Sequence, residues 1–444
     1  MPGASTRSVG RACPRAHSLF LGIVWVLTLL ATHAAAQERA WNPYGLEVYR
    51  EGPGFKLGQS ALVVHPGVSL EAGYDSNVYY QPTRPIDSAV LRLRLHLDLA
   101  PLPIDPATGS TADPKVDFRL STQLEYREYL STNATIRSAR SFNALLSGFV
   151  TLFPRGKVSL RFDEDFIRSV DPRDGEGPVN FARVYNRFGV TVTGRPGGGR
   201  LEVGAGDSFI VQRFDDADVA FGNSLQNDAR LFARFKIFSR TILSAVAHVG
   251  YVYYNNSPTL ETVPLRLIVE VSSPVTSWLE GTLALGYGGS IALRSKRLET
   301  AISQEELRFL LPLGIRIVAG HKRDFSDSIF ASYYTDDVIY VGYQQPFLKR
   351  LRAFADAQVH FRHYDGLLDP TNFGYQGYSS TERDDLLYEA HAGLSVQVLR
   401  WLVVRAVYNL LADHTSFDFL RTDGTSLNAS YIKHSVFAGV DLAY

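Results

Sequence analysis

Between residues 90 and 444 the chain repeats one pattern that few folds accept. Apolar and polar side chains alternate with a period of two over stretches of about 10–14 residues. In 90–100, Leu91, Leu93, Leu95, Leu97 and Leu99 oppose Arg92, Arg94, His96 and Asp98. In 116–127, Val116, Phe118, Leu120, Leu124 and Tyr126 oppose Asp117, Arg119, Gln123, Glu125 and Arg127. The same alternation returns in 229–237, 352–362, 388–398 and 436–444. Successive side chains of a strand point to opposite faces, so each stretch is a strand with one apolar and one charged face. Soluble strands run about 5–6 residues, whereas a tilted membrane-crossing strand needs roughly 9–11. No amphipathic helix interrupts the pattern in 66–444.

The connections sharpen the prediction. Tight turns fall at 154–156, 195–199, 238–240, 273–275, 311–312, 347–349 and 399–401, with a longer Pro-rich link at 100–115. Between them lie polar loops at 80–89, 130–140, 170–182, 213–226, 254–262, 288–302, 326–335, 364–383 and 412–430. Short turns on one side and long loops on the other mark an outer-membrane barrel. Eight short-side links and nine loops require 18 strands, with both ends of the barrel in the periplasm. The expected fold is therefore all-β, a closed antiparallel transmembrane β-barrel of about 18 strands. Sixteen remains open because 300–325 alternates poorly: Glu305 to Arg316 is either one bulged strand or two strands around Pro312. In lipid every backbone amide must be paired, which only closure achieves for a sheet. Trp278, Trp401, Phe153, Phe238 and Phe347 near the turns and Tyr79, Tyr80, Tyr129, Tyr253, Tyr333 and Tyr334 near the loops are expected to form two interfacial girdles.

The first 36 residues read as an export signal. Arg7, Arg11 and Arg15 precede the apolar run 19–31, and Ala34-Ala35-Ala36 offers a small-residue cleavage site. The run is too short to span a bilayer, and no later stretch approaches 18 apolar residues. The whole chain has 45 Lys+Arg and 45 Asp+Glu, so cleavage leaves three more acidic than basic residues. It also removes Cys13 and Met1, the only cysteine and the only methionine. Such a balance argues against nucleic acid as a partner. The expected organisation is a signal peptide at 1–36, a periplasmic extension at 37–65 and a barrel at 66–444, set in the outer membrane among lipid and lipopolysaccharide. The extension is a leader, a docking tail or a plug.

A wide barrel with a polar interior implies an aqueous channel. Candidate lumen-lining residues are Arg92, Arg94, Arg119, Glu125, Arg127, Arg161, Asp163, Arg230, Arg234, Arg266, Asp356 and Arg362. Both signs are interspersed, which fits a salt-bridged wall; the alternative is a track of charges and aromatic edges such as Phe232 and Phe354 along which a glycan slides. The pairs His96/Asp98 and His414/Ser416 lack the company of a GxSxG or HExxH motif, so no enzyme is expected. Asp215, Asp216 and Asp218 do not have EF-hand spacing. No cofactor or metal is expected. Val440, Leu442 and Tyr444 end the chain on one face, a terminal strand of the kind that barrel-assembly machinery reads.

Two blocks carry a resemblance. Residues 65–80, HPGVSLEAGYDSNVYY, resemble the opening strand of the second family of outer-membrane β-barrel porins. Residues 320–343, GHKRDFSDSIFASYYTDDVIYVGY, are similar to a late block of the same family. The resemblance implies a porin, and through the family's polysaccharide-secreting members it implies export of exopolysaccharide or capsular polysaccharide alongside a periplasmic export protein. General diffusion or solute uptake is the alternative. The resemblance carries over no site residues.

Overall fold

A computed structural model of the chain describes residues 54–57, 62–101, 115–170, 182–255, 261–292, 296–347, 350–373 and 375–444. The expected signal peptide and most of the extension lie outside these residues. Eighteen long strands form the wall. The first six are β1 (Leu62–Asp75), β2 (Ser88–Pro101), β3 (Val116–Leu130), β4 (Ser141–Leu152), β5 (Val158–Ser169) and β6 (Arg183–Gly194). The next six are β7 (Leu201–Phe214), β8 (Ser224–Lys236), β9 (Ile242–Tyr254), β10 (Thr262–Pro274), β11 (Leu279–Ala292) and β12 (Leu298–Leu310). The last six are β13 (Arg316–Ser326), β14 (Ala331–Phe347), β15 (Leu351–Leu367), β16 (Arg383–Leu399), β17 (Leu402–Thr415) and β18 (Tyr431–Ala443). Each pairs antiparallel with its neighbours, and β18 pairs with β1 from Gly67↔Ala443 to Asp75↔Ser435. The ring is closed. A two-residue strand, Phe55–Lys56, folds back on Val63–Val64 at the foot of β1, so ordered pairing begins before residue 66.

Hydrophobicity is inverted relative to a soluble protein. Leu91, Leu93, Leu95 and Leu97 are exposed, while Arg92, Arg94, His96 and Asp98 between them are buried. The apolar face therefore looks outward, where lipid replaces water as its solvent, and the charged face looks inward. Trp278, Trp401, Phe153 and Phe238 ring the end where the turns are short. Tyr74, Tyr251, Tyr253, Tyr287 and Tyr388 are exposed toward the other end. Tyr129, Tyr333 and Tyr334 were expected in that outer girdle, but they are buried. Tyr129 and Tyr334 share the inward parity of Arg127 and Asp336, whereas the adjacent Tyr333 falls on the opposite face and is buried by contacts with the Arg297 carbonyl and Asp365. Tyr333 donates to Asp365 at 2.9 Å and Tyr334 packs 5.2 Å from Tyr364.

The uncertain stretch resolves into two strands. β12 and β13 meet at a turn held by the Leu311 amide donating to the Ile315 carbonyl at 2.9 Å. Leu313 and Gly314 both sit at positive φ, 64° and 75°, the arrangement that tight hairpins demand. The loops expected at 288–302 and 326–335 are shorter than expected, because β11 runs to Ala292, β12 starts at Leu298 and β14 starts at Ala331. Among the described residues, the one α-helix in the wall's connections, Ala134–Ser138, is a single turn capped by Asn133. Further out, Gly377–Tyr378, Asp418–Leu420 and Ser426–Asn428 form a small three-stranded sheet. Its Phe419 and the preceding Phe417 pack with Phe214, Val219 and Phe330, so segments from distant strands share one apolar cap.

Candidate functional site: the charged inner wall

Because residues facing each other across strands share a face, the register collects the inward charges into rows. On the first strands, Glu71 lies opposite Arg92, which lies opposite Arg127; Arg94 lies opposite Glu125. The side chains complete a buried network. Arg92 reaches Glu71 at 2.6 Å, and Arg94 bridges Glu71 at 3.0 Å to Glu125 at 2.6 Å. Arg127 closes on the other oxygen of Glu125 at 2.6 Å. From the far end of the chain, Arg405 binds both Glu71 and Asp441, the latter at 3.2 Å. The network thus crosses the junction of β18 with β1. Arg92 also lies 3.2 Å above the Phe437 ring, giving the guanidinium an aromatic face as well as a carboxylate.

The remaining candidates continue around the wall. Arg161 pairs with Asp163 at 2.6 Å and stacks 4.0 Å over Phe149, the residue opposite Arg119. Arg187 meets Asp165 at 3.3 Å. Arg230 donates to the Thr191 hydroxyl at 2.9 Å, and Arg234 reaches Glu202 at 4.0 Å. Arg266 holds Asp324 at 3.2 Å and the Phe325 carbonyl at 2.6 Å. Asp356 accepts from His391 at 2.7 Å, while Arg362 and His360 share Asp336 at 3.3 and 2.9 Å. Most of these cations have an acidic neighbour, as a salt-bridged wall requires, while Arg230 is held by a hydroxyl and lies among other guanidinium groups. Alternation in the sequence already sets His360 and His391 on the polar face of their strands, whereas Asp336, of the same inward parity, was not among the expected residues. The sequence reading also overlooked Arg383, fully buried at the mouth, 2.6 Å from Asp385 and stacked 4.6 Å over Tyr364.

Several expected features take other roles. Phe232 lies over Gly204 and Phe354 over Gly393, each ring filling the space a side chain would occupy on the adjacent strand. Phe232 is further flanked by Arg230 and Arg234 at 5.6 and 5.2 Å. Neither ring is a free edge for a sliding sugar. His96 lies flat over Gly67, and Asp98 accepts instead from the hydroxyl of Ser121, directly across the strand pair. His414 and Ser416 sit exposed at the outer end of β17. Asp215 forms an ion pair with Arg168 at 2.6 Å. Among the described residues, no group of three or more His, Cys, Asp or Glu side chains is placed to hold a metal ion.

No protein-family model matches the chain, and no curated protein matches it. Solved structures do. Pseudomonas aeruginosa OpdK with vanillate is 12% identical over 86% of this chain and 99% of its own, with a TM-score of 0.46. P. aeruginosa OccK2 (OpdF) in complex with glucuronate is 11% identical over 86% and 98%, TM-score 0.46. Acinetobacter baumannii OccAB2 is 10% identical over 86% and 98%, TM-score 0.45. None of the comparisons supports the expected link to polysaccharide secretion. The chain is a closed 18-stranded barrel of the outer-membrane type, and its function has to be argued from its own wall.

Proposed function

We propose that the barrel is a passive channel for small hydrophilic solutes across the outer membrane, serving diffusion or uptake. The supporting observation is the inner wall itself: an 18-strand ring too wide for side chains to fill, lined by charges of both signs that neutralise one another at 2.6–3.3 Å. Such a wall wets the lumen without imposing one sign of charge on what passes. Arg92, Arg94, Arg119, Glu125, Arg127, Arg161, Asp163, Arg230, Arg234, Arg266, Asp356 and Arg362 are the residues we assign to it. The exposed, one-sided ending of β18 at Val440, Leu442 and Tyr444 supports its use as the handle for barrel assembly. Export of polysaccharide gains nothing from the wall, because the aromatic edges it would use cover glycines.

Proteoliposomes of the folded chain test the proposal by osmotic swelling. Rates above protein-free vesicles are expected for small sugars and amino acids, falling steeply as solute size grows. Vesicles that hold folded barrel yet swell no faster than empty ones would refute it.

A further inference from the structure

One sector of the outer face breaks the inverted pattern. On β12–β14 the outward positions carry Glu305, His321, Arg323 and Asp337 in place of apolar residues. All four are partly exposed, at 45, 39, 38 and 29%. Register makes two rungs of them. In the lower, Leu283, Glu305, His321 and Ile339 follow one another across four strands. In the upper, Leu285, Ser303, Arg323, Asp337 and Phe361 do so across five. His321 is 2.9 Å from Glu305 through Nδ1 and 3.5 Å from Asp337 through Nε2, and Arg323 is paired with Asp337. The flanking Leu283, Leu285, Ile339 and Phe361 are all exposed apolar side chains, so the charges lie inside the lipid-facing band.

Depth along the wall makes the same point. Trp278 stacks on Phe309 at the short-turn end, and Glu305 lies four residues above Phe309, roughly 13 Å along the strand. Tyr287, opposite Ala301, stands one rung above Ser303. The cluster is therefore near mid-depth, between the two girdles. A guanidinium keeps its charge in any environment and carries five N–H donors in a rigid fork. Lipid chains satisfy none of them, and charges on a barrel's lipid face are most costly at this depth. Elsewhere within the band the outward polar groups include carboxylate–amide pairs, Asp207 with Asn227 and Glu164 with Asn186, and the outward Arg168, paired with Asp215, sits at the loop end of β5.

We propose that the β12–β14 face is a protein interface and that its occupant is a second copy of this chain, related by a twofold axis along the membrane normal. Such an axis preserves depth. Since Arg323 and Asp337 share a rung, Arg323 of one copy meets the partner's Asp337 at the same level, and the reverse pair forms beside it. The patch is its own complement, with Leu307, Ile339 and Val341 supplying an apolar surround.

Thiol cross-linking in native outer membranes tests this on the full chain carrying Cys13→Ser. With Ile339→Cys, a short thiol-to-thiol reagent is expected to give a band of twice the chain mass. Leu231→Cys, exposed on β8 six strands away, is expected to give none. Adding Arg323→Leu with Asp337→Leu is expected to leave heat-modifiable migration, and so folding, intact while reducing the dimer band at least tenfold. The exchange Arg323→Asp with Asp337→Arg, which restores complementarity in both copies, is expected to retain the dimer. A monomer at Ile339→Cys, equal yields at the two positions, or cross-linking only to a different protein would each overturn the proposal.

Discussion

Glu71 shows what a single inward residue does in this wall. One carboxylate faces Arg92, Arg94 and Arg405, and all four side chains are buried. Its removal leaves buried guanidinium charge without its counterion, and breaking a buried pair in this way costs about 3–5 kcal/mol. Glu71→Ala is thus expected to lower the temperature at which the purified barrel converts to its unfolded gel mobility; an unchanged transition would show that the network contributes no stability. The sequence revealed that these residues share a face but not who binds whom. Glu71 and Arg405 lie at opposite ends of the chain and meet only because β18 closes on β1. His96 and Asp98 illustrate the converse. They share a face, but Ser121 lies directly across from Asp98 and takes its carboxylate while the His96 ring packs over Gly67, so the apparent dyad dissolves.

At the scale of the strand, parity carries nearly all the information. It was read correctly wherever the outward residues are plainly apolar, as in β2 and β8. Leu93→Arg, at an exposed outward position of β2, is expected to destabilise the folded barrel by about 2–4 kcal/mol near mid-depth, measured by denaturant titration in lipid. A result within a few tenths of the parent would mean that β2 does not face lipid. The pattern faded in 300–325 for a physical reason: Glu305, His321 and Arg323 occupy outward positions there, so both faces look polar. Strand ends were also illegible. Nothing local showed that Tyr129, Tyr333 and Tyr334 would be buried instead of exposed in the outer girdle. The β12–β13 turn supplies a further expectation, since Leu313 holds a left-handed conformation that a branched side chain resists. Leu313→Gly is expected to stabilise the barrel by about 1 kcal/mol, less the added freedom of the unfolded glycine; destabilisation in the same titration would show that the Leu313 side chain contributes more than its backbone strain removes.

At the scale of the whole molecule, the proposed channel rests on closure and charge pairing together. The strand number was legible because turns and loops alternate in length, and an antiparallel ring whose ends both lie in the periplasm needs an even count. Which solute the proposed channel would pass was not legible, because specificity would reside in how inward side chains from distant strands combine. Pairing across the wall implies weak ion selectivity. Under a tenfold KCl gradient the reversal potential is expected to lie near zero, and a value approaching the Nernst limit would mean that one sign of charge dominates the lumen. The most direct test of an aqueous lumen is single-channel recording of the folded chain in a planar lipid bilayer. Discrete conductance steps that rise in proportion to bulk salt are expected. Bilayers that stay electrically silent while the inserted protein retains its folded, heat-modifiable form would contradict the channel.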